Sequence, residues 1–310
     1  MKRTSLYYRL ILAAALLAWC SGTAQAELRV VTTVKPIHSL VASVMGGIGK
    51  PYLIVKGAAS PHTYAMKPSD AAALQNAQVI FRVGGPFERF LEAAIKNGNA
   101  SANVVSMSDI SNVRRLPYRT GQAWGTAKHH HHGHKHDSKE DFDPHIWLDP
   151  HNALQMVGAI AQTLGLEQPS RMFDFARNAA AVAARIKDLQ AATEATVGPI
   201  RNRPFLVFHD AFQYFENAFN IRAIGAVSLG ESRSPGARRI KTLRREIAAR
   251  KVVCVFAEPQ FEPQIIATLI EGTAVRRGVL DPIGARIRAG PDAYFQMMQS
   301  NANALVSCLR

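Results

Sequence analysis

Acidic residues are scarce in this chain. Its 310 residues hold 23 aspartates and glutamates against 37 lysines and arginines, a formal net charge of +14. Cysteine occurs three times and tryptophan three times. So few cysteines exclude a disulfide-dense scaffold. Past the first 26 residues no stretch is long and apolar enough for a transmembrane helix. No short repeat is visible, which excludes a solenoid. No HExxH helix is present, and no carboxylate is clearly placed as a general base, so a zinc hydrolase finds little support. The excess of cations is scattered. Its densest group is Arg238, Arg239, Lys241, Arg244 and Arg245, which reads as a solvated helix face. Nucleic acid is therefore not the expected partner.

The first 26 residues read as an export leader. Lys2, Arg3 and Arg9 supply a positive start, residues 10–20 are apolar but too short to span a bilayer, and Ala24-Gln25-Ala26 forms a cleavage site. Cleavage after Ala26 makes Glu27 the mature N-terminus. A lipoprotein reading centred on Cys20 meets Trp19 where a small residue is expected. The leader carries three cations and no acid, so the mature charge is +11. Cys254 and Cys308 then remain, and an oxidising compartment favours a bridge between them. The chain-entropy account gives such a bridge about 4 kcal/mol.

Apolar runs alternate with helical patterns along the mature chain. Strands are expected at residues 28–34, 52–55, 78–83 and 104–105, and again at 205–208, 221–224, 252–257 and 277–280. Helices are expected at 36–45, 68–74, 87–95 and 149–164, then at 211–217, 235–250, 263–272 and 293–307. This alternation implies two α/β domains with mostly parallel sheets. Residues 169–197 hold no strong breaker and predict one helix of about 40 Å. Its apolar repeat runs through Phe173, Ala176, Ala180, Ala183 and Ala184. The organisation is an N-terminal domain over 27–166, a connecting helix over 167–198 and a C-terminal domain over 199–310.

What the chain has in abundance is clustered histidine. Residues 129–136 read HHHHGHKH, so His129, His130, His131, His132, His134 and His136 lie within eight positions. The tract sits inside a polar run over 128–143 with Asp137, Glu140, Asp141 and Asp143. It is too polar to bury a core and reads as a loop that binds metal weakly, zinc first. Four further candidates share one topological feature. His62 follows the 52–55 strand, His145 precedes the 149–164 helix, His209 follows the 205–208 strand and Asp281 follows the 277–280 strand. Ligands of open α/β sheets bind beyond the carboxyl ends of strands. Three imidazoles and a carboxylate suit four-coordinate zinc. Glu258 follows the 252–257 strand and ranks below Asp281, as a support residue. His38 and His151 are expected to be structural or exposed.

These residues carry a resemblance. Ser60-Pro61-His62-Thr63-Tyr64 with Lys67-Pro68-Ser69-Asp70, then His145-Ile146-Trp147-Leu148-Asp149-Pro150, then residues 208–215 (FHDAFQYF), then Leu280-Asp281-Pro282-Ile283-Gly284 resemble the four ordered motifs of the cluster A-I substrate-binding proteins of ABC importers. The histidine tract is similar to that of the ZnuA-type zinc-uptake branch. The resemblance implies two (β/α)4-like domains joined by a long rigid helix, with the metal site in the interdomain cleft. It also implies a monomeric periplasmic protein, not an enzyme, that captures Zn2+ and delivers it to an inner-membrane ABC permease with its cytoplasmic ATPase. Cys254 and Cys308 resemble that branch's carboxy-terminal disulfide. Manganese-binding relatives carry Glu where this chain has His209, and three nitrogens favour zinc over manganese. A manganese- or iron-binding paralogue remains the alternative, with an adhesin role behind it. Some zinc-uptake members place Glu directly before the first histidine. Here that position is Pro61, so the fourth ligand is Asp281 or a water.

Overall fold

The computed structural model describes residues 27–97, 101–121, 123–124, 142–228, 235–261 and 264–310. The export leader and the histidine tract, with Asp137, Glu140 and Asp141, lie outside the described residues. Strands β1 (Val30–Thr32), β2 (Tyr52–Leu53), β3 (Val79–Arg82) and β4 (Asn103–Ser106) form a parallel sheet in the order β2-β1-β3-β4. Strands β5 (Phe205–Leu206), β6 (Cys254–Ala257) and β7 (Arg276–Val279) form a second parallel sheet in that order.

Side chains of β1 and β3 in the first sheet, and of β5 and β6 in the second, alternate between two buried layers, as a strand period of two demands, while no residue of the edge strands β4 and β7 is fully buried. Val30, Val79 and Phe81 enter a core shared by the whole molecule, while Val31 and Ile80 face an outer layer with Ile54, Leu74 and Leu91. Phe205, Val207, Cys254 and Phe256 join the shared core, and Leu206, Phe208, Val255 and Ala257 turn to the outer layer of the second lobe. Burial on both faces explains why these strands read as continuous apolar runs.

The helices of the first lobe are α1 (Lys35–Met45), α2 (Pro68–Asn76), α3 (Arg89–Asn97) and α4 (Pro150–Glu167). Pro36, Pro68 and Pro150 sit in first turns, where a missing N–H leaves no intrahelical bond unmade. Helix α5 (Met172–Val197) runs 26 residues and is extended by a 3-10 turn at each end. It packs on α4, on α1 and on α9 (Ala293–Leu309), the last helix of the chain. The second lobe adds α6 (Gln213–Phe219), α7 (Ala237–Ala249) and α8 (Gln264–Ile270). No described helix is long and apolar enough to cross a membrane.

Three expectations are corrected here. The buried stripe of α5 is Phe175, Ala179, Val182, Ile186 and Leu189, and Phe173 is 86% exposed. An alanine-rich helix offers two apolar stripes, and the one bearing the larger side chains is buried because it removes more apolar area from water. Residues 221–224 form no strand. The chain there meets β5 through Ile224 N–H to Phe205 O and joins it only by a bridge at Val207–Ala226. Arg239 is not part of a solvated face: it donates to Ala226 O, to Ala123 O at 2.8 Å and to Val227 O. Its neighbours Arg238, Lys241, Arg244 and Arg245 are exposed. Cys254 on β6 and Cys308 on α9 are bridged, with Cα atoms 6.0 Å apart.

Candidate metal centre

The first motif is a turn held from below. After β2 the chain enters a 3-10 turn, Pro61–Thr63, that carries His62. Asp70, in the first turn of α2, is buried and accepts from Lys67 N–H at 2.9 Å, Tyr52 Oη at 2.9 Å and Tyr64 Oη at 2.8 Å. Burial pushes the Asp70 carboxyl up, but these bonds and the Lys56 charge outweigh it and hold the group below its ordinary value. Lys67 to Asp70 therefore fix the turn two residues beyond His62. On its other side His62 packs edge-on against Phe87, with ring centroids 4.6 Å apart. Phe87 is placed by its neighbour Glu88, a buried carboxylate that accepts from Val83 and Gly84 N–H.

His145 and His209 are held by one arrangement used twice. Asp143 Oδ1 accepts from His145 N–H at 3.0 Å and from His145 Nδ1 at 2.7 Å. Glu258 Oε1 accepts from His209 N–H at 3.2 Å and from His209 Nδ1 at 2.6 Å. With Nδ1–H donated to a carboxylate, each ring presents an Nε2 lone pair, the tautomer a metal ligand needs. All four residues are buried. Burial pushes the Asp143 carboxyl up to about 7, opposed by the bond from His145 N–H and by the charge of Arg119.

Asp143 is tied further into the second lobe. Tyr214 Oη donates to Asp143 O at 2.8 Å, and the Gln213 amide, turned so that its nitrogen faces the carboxylate, donates to Asp143 Oδ2 at 3.2 Å. Arg119 bridges Asp210 of the third motif and Glu216 just beyond it, and lies over the Trp124 ring, 3.5 Å from its centroid. Asp143 thus corrects the expectation that the whole 128–143 run is a solvated loop. The run ends at residues 142 and 143, which are buried.

The three rings converge from both lobes. His62 stands 5.6 Å from His145 and 5.9 Å from His209 between ring centroids, and His145 stands 5.2 Å from His209. Their ligand nitrogens all lie within 4.8 Å of one another. The Nε2 atoms of His145 and His209 are 3.4 Å apart. Two nitrogens bound at about 2.0–2.1 Å to one tetrahedral ion stand about 3.3–3.4 Å apart. The pair is therefore spaced for a shared ion, and two lone pairs aimed at each other at that distance favour a cation between them.

Asp281 is not part of that three-residue group. It is half-buried beyond β7, its backbone bonded to Asn301 and its Oδ1 buried without a partner among the described residues. Glu258 supports His209, the role the order of strands left open for it. His38 bonds Pro51 O and His151 bonds Asn112 O, both away from the cluster. Sequence reasoning missed Asp143 and Arg119. The signal for Asp143 was its place two residues before His145, the spacing at which a carboxylate reaches both N–H groups. Arg119 had no local signal, because its partners lie 91 and 97 residues away.

Two parallel-sheet lobes, a long helix packed on both, and imidazoles meeting between them define a two-lobed metal-binding protein. The chain belongs to the family described as "ZnuA: Zinc-uptake complex component A periplasmic", whose model matches residues 30–308. It is 39% identical to the high-affinity zinc uptake system protein ZnuA of Brucella abortus (strain 2308), over 97% of this chain and 98% of that one. It is 34% identical to the protein of the same description from Paracoccus denitrificans (strain Pd 1222), over 97% of each. In fold it is similar to a ZnuA crystal structure, with TM-score 0.78 and 22% identity over 92% of this chain and 100% of that one. The periplasmic zinc-binding protein TroA from Treponema pallidum gives TM-score 0.77 at 23% identity, over 92% and 99%.

Proposed function

We propose that this protein captures zinc in the periplasm and delivers it to an inner-membrane ABC permease with its cytoplasmic ATPase. The ion is cargo, and no covalent bond of a substrate is made or broken. His62, His145 and His209 are its nitrogen ligands, and the fourth position belongs to Asp281 or a water. The observation that carries this reading is the 3.4 Å spacing of two Nε2 atoms whose Nδ1 groups are both committed to buried carboxylates. Such carboxylate–histidine pairs orient ligands and raise their basicity. Three nitrogen donors favour zinc over manganese, which prefers oxygen. The family match and the zinc-uptake description of relatives support the same cargo.

In this reading the mature chain begins at Glu27 and acts as a monomer, with domains over 27–166 and 199–310 about the connecting helix. The histidine tract, by composition too polar to bury a core, binds further zinc weakly. The test is a calorimetric titration of the mature protein with Zn2+, alone and against excess Mn2+. One tight event that Mn2+ does not displace is expected. Displacement by Mn2+ at comparable concentration would reassign the cargo, and absence of a tight event would remove the function.

A further inference from the structure

Lys35 opens α1 in the first lobe, yet its ammonium is bound in the second. It donates to Gly284 O, to Ala285 O at 3.1 Å and to Ile287 O at 2.7 Å. An ammonium has three hydrogens, so three carbonyls of one turn account for all of them. Lys35 is 5% exposed. A charge so far from water persists only where such partners replace its hydration. A contact needed merely to hold two lobes together would be made as well by an apolar side chain.

The turn that Lys35 grips begins at Asp281. Gly284 lies at φ +65°, where a Cβ is disfavoured, and its carbonyl also accepts from Ile287 N–H at 3.0 Å. Trp147, of the second motif, donates to Pro282 O at 2.7 Å. Asn301 fixes the Asp281 backbone through its N–H at 2.8 Å and its carbonyl at 2.9 Å. The carboxylate itself is left with little. Oδ2 receives one long bond, from Arg286 N–H at 3.4 Å, and Oδ1 is buried with no donor among the described residues. A buried acceptor of this kind is one that a cation would satisfy. Register brings the residue towards the site: Val279 pairs with Ala257 and Leu280 N–H bonds Ala257 O, so Asp281 leaves β7 one position past the level of Glu258, the residue that holds His209.

We propose that Lys35 is a positioning residue of the zinc site: it reaches across the lobe boundary, fixes the turn that carries Asp281, and so presents the Asp281 carboxylate as the fourth donor to the cargo ion. This rests on the zinc-capture reading above. Burial lowers the Lys35 ammonium from its ordinary value and the Asp281 carboxylate opposes that shift, which puts the two charges within electrostatic reach.

The experiment compares the full mature protein with Lys35→Met, Asp281→Asn and the double variant. Zinc affinity is read by chelator competition and donor geometry by the visible spectrum of the Co2+-loaded protein. Each single variant should lose about 10- to 100-fold in affinity, the range for groups that orient metal ligands. The double variant should lose no more than Asp281→Asn alone. The Co2+ spectrum of Lys35→Met should match that of Asp281→Asn, a change that a merely structural lysine would not produce. Affinity of Lys35→Met within twofold of the parent, losses that multiply in the double variant, or a parent-like Co2+ spectrum would each overturn the inference. Parent-like binding by Asp281→Asn would overturn it too, while leaving zinc capture intact. A parent protein that binds no zinc would sink both readings. Should Lys35→Met fail to fold, Lys35→Gln, which keeps two donors without the charge, takes its place in the same cycle.

Discussion

His145 and His209 are fixed in a way that His62 is not. The first two are buried, and each has its ring and its own backbone N–H bound to a single carboxylate oxygen. His62 sits half-buried on a 3-10 turn, set by the packing of Phe87 and by the Tyr64–Asp70 bond two residues on. One pinned ring comes from the segment leading into α4 and the other from the end of β5, so the pair forms a preformed jaw across the lobes. The third ring closes it from the more accessible side. In the zinc-capture reading proposed above, the difference teaches how a site is divided between pre-organisation and access: two donors are immobilised before the ion arrives, and the one nearest solvent is left to complete coordination.

The largest effect should come from breaking the jaw. His209→Ala should lower zinc affinity by more than the about 100-fold that loss of an orienting partner produces, measured by chelator competition. His62→Ala should fall less far, because the 3.4 Å nitrogen pair survives it. Equal losses would dissolve the distinction between pinned and closing ligands.

The carboxylates test whether pinning matters. Asp143→Asn and Glu258→Gln keep the size of each side chain but lose the charge that makes the imidazole a better donor. Each should weaken zinc by about 10- to 100-fold, and by similar factors, since the two arrangements match. A loss from one and none from the other would show that the lobes contribute unequally.

A smaller effect comes through pH at Asp143. Burial puts the Asp143 carboxyl at about 7, so near neutrality the ligand-free protein holds part of a proton there. A bound dication favours the carboxylate. Zinc affinity should therefore fall as pH drops through 7, with more protons released per ion at pH 6.5 than at pH 8. For the ligand-free protein the sign is opposite. A folded-state value raised from about 3.9 contributes stability that is complete below the unfolded value and lost as pH rises through about 7. Asp143→Asn should flatten both profiles. Calorimetry in buffers of different ionisation enthalpy, with Tm between pH 5 and 8, checks this, and unchanged proton release in the variant would refute it.

The smallest effect on tight binding belongs to deletion of residues 128–138. The deletion should remove weak zinc events and leave the tight one unchanged in titration calorimetry. Loss of the tight event would move the primary site from the jaw to the tract.

How much of this was legible in the sequence depended on the range of each interaction. The parallel α/β alternation was readable because Val31, Ile80, Leu206 and Val255 lie in local apolar runs. The three histidines were readable as a group because each lies in a connection between elements, His209 just after β5, His145 before α4 and His62 on the turn that follows β2, which are local signals. The stripe of α5 was misread because Phe173 and the alanines repeat as regularly as Phe175, Val182 and Ile186. Only the partners of α5, namely α1, α4 and α9, decide which stripe is covered. Residues 221–224 have strand composition, but they meet β5 only through Ile224 N–H to Phe205 O among the described residues, and the bridge to this edge falls beyond both runs, at Val207–Ala226. Arg239 looked like its exposed neighbours because charge runs are solvated by default, while its carbonyl partners at positions 123, 226 and 227 come from a fold the composition does not encode.

The sequence by itself determined the element types, the disulfide partners and the donor chemistry. These follow from periodicity, from the number of thiols left in an oxidising compartment, and from imidazoles set at the ends of elements. Tertiary structure alone decided that Asp143 and Glu258 turn the two imidazoles into oriented donors, that Arg119 ties the approach to the tract onto the third motif, and that Lys35 grips a turn about 250 positions away. The physical reason is that a buried charge is stable only beside the groups that replace its water, and those groups are brought to it by the packing of two lobes rather than by their place in the chain.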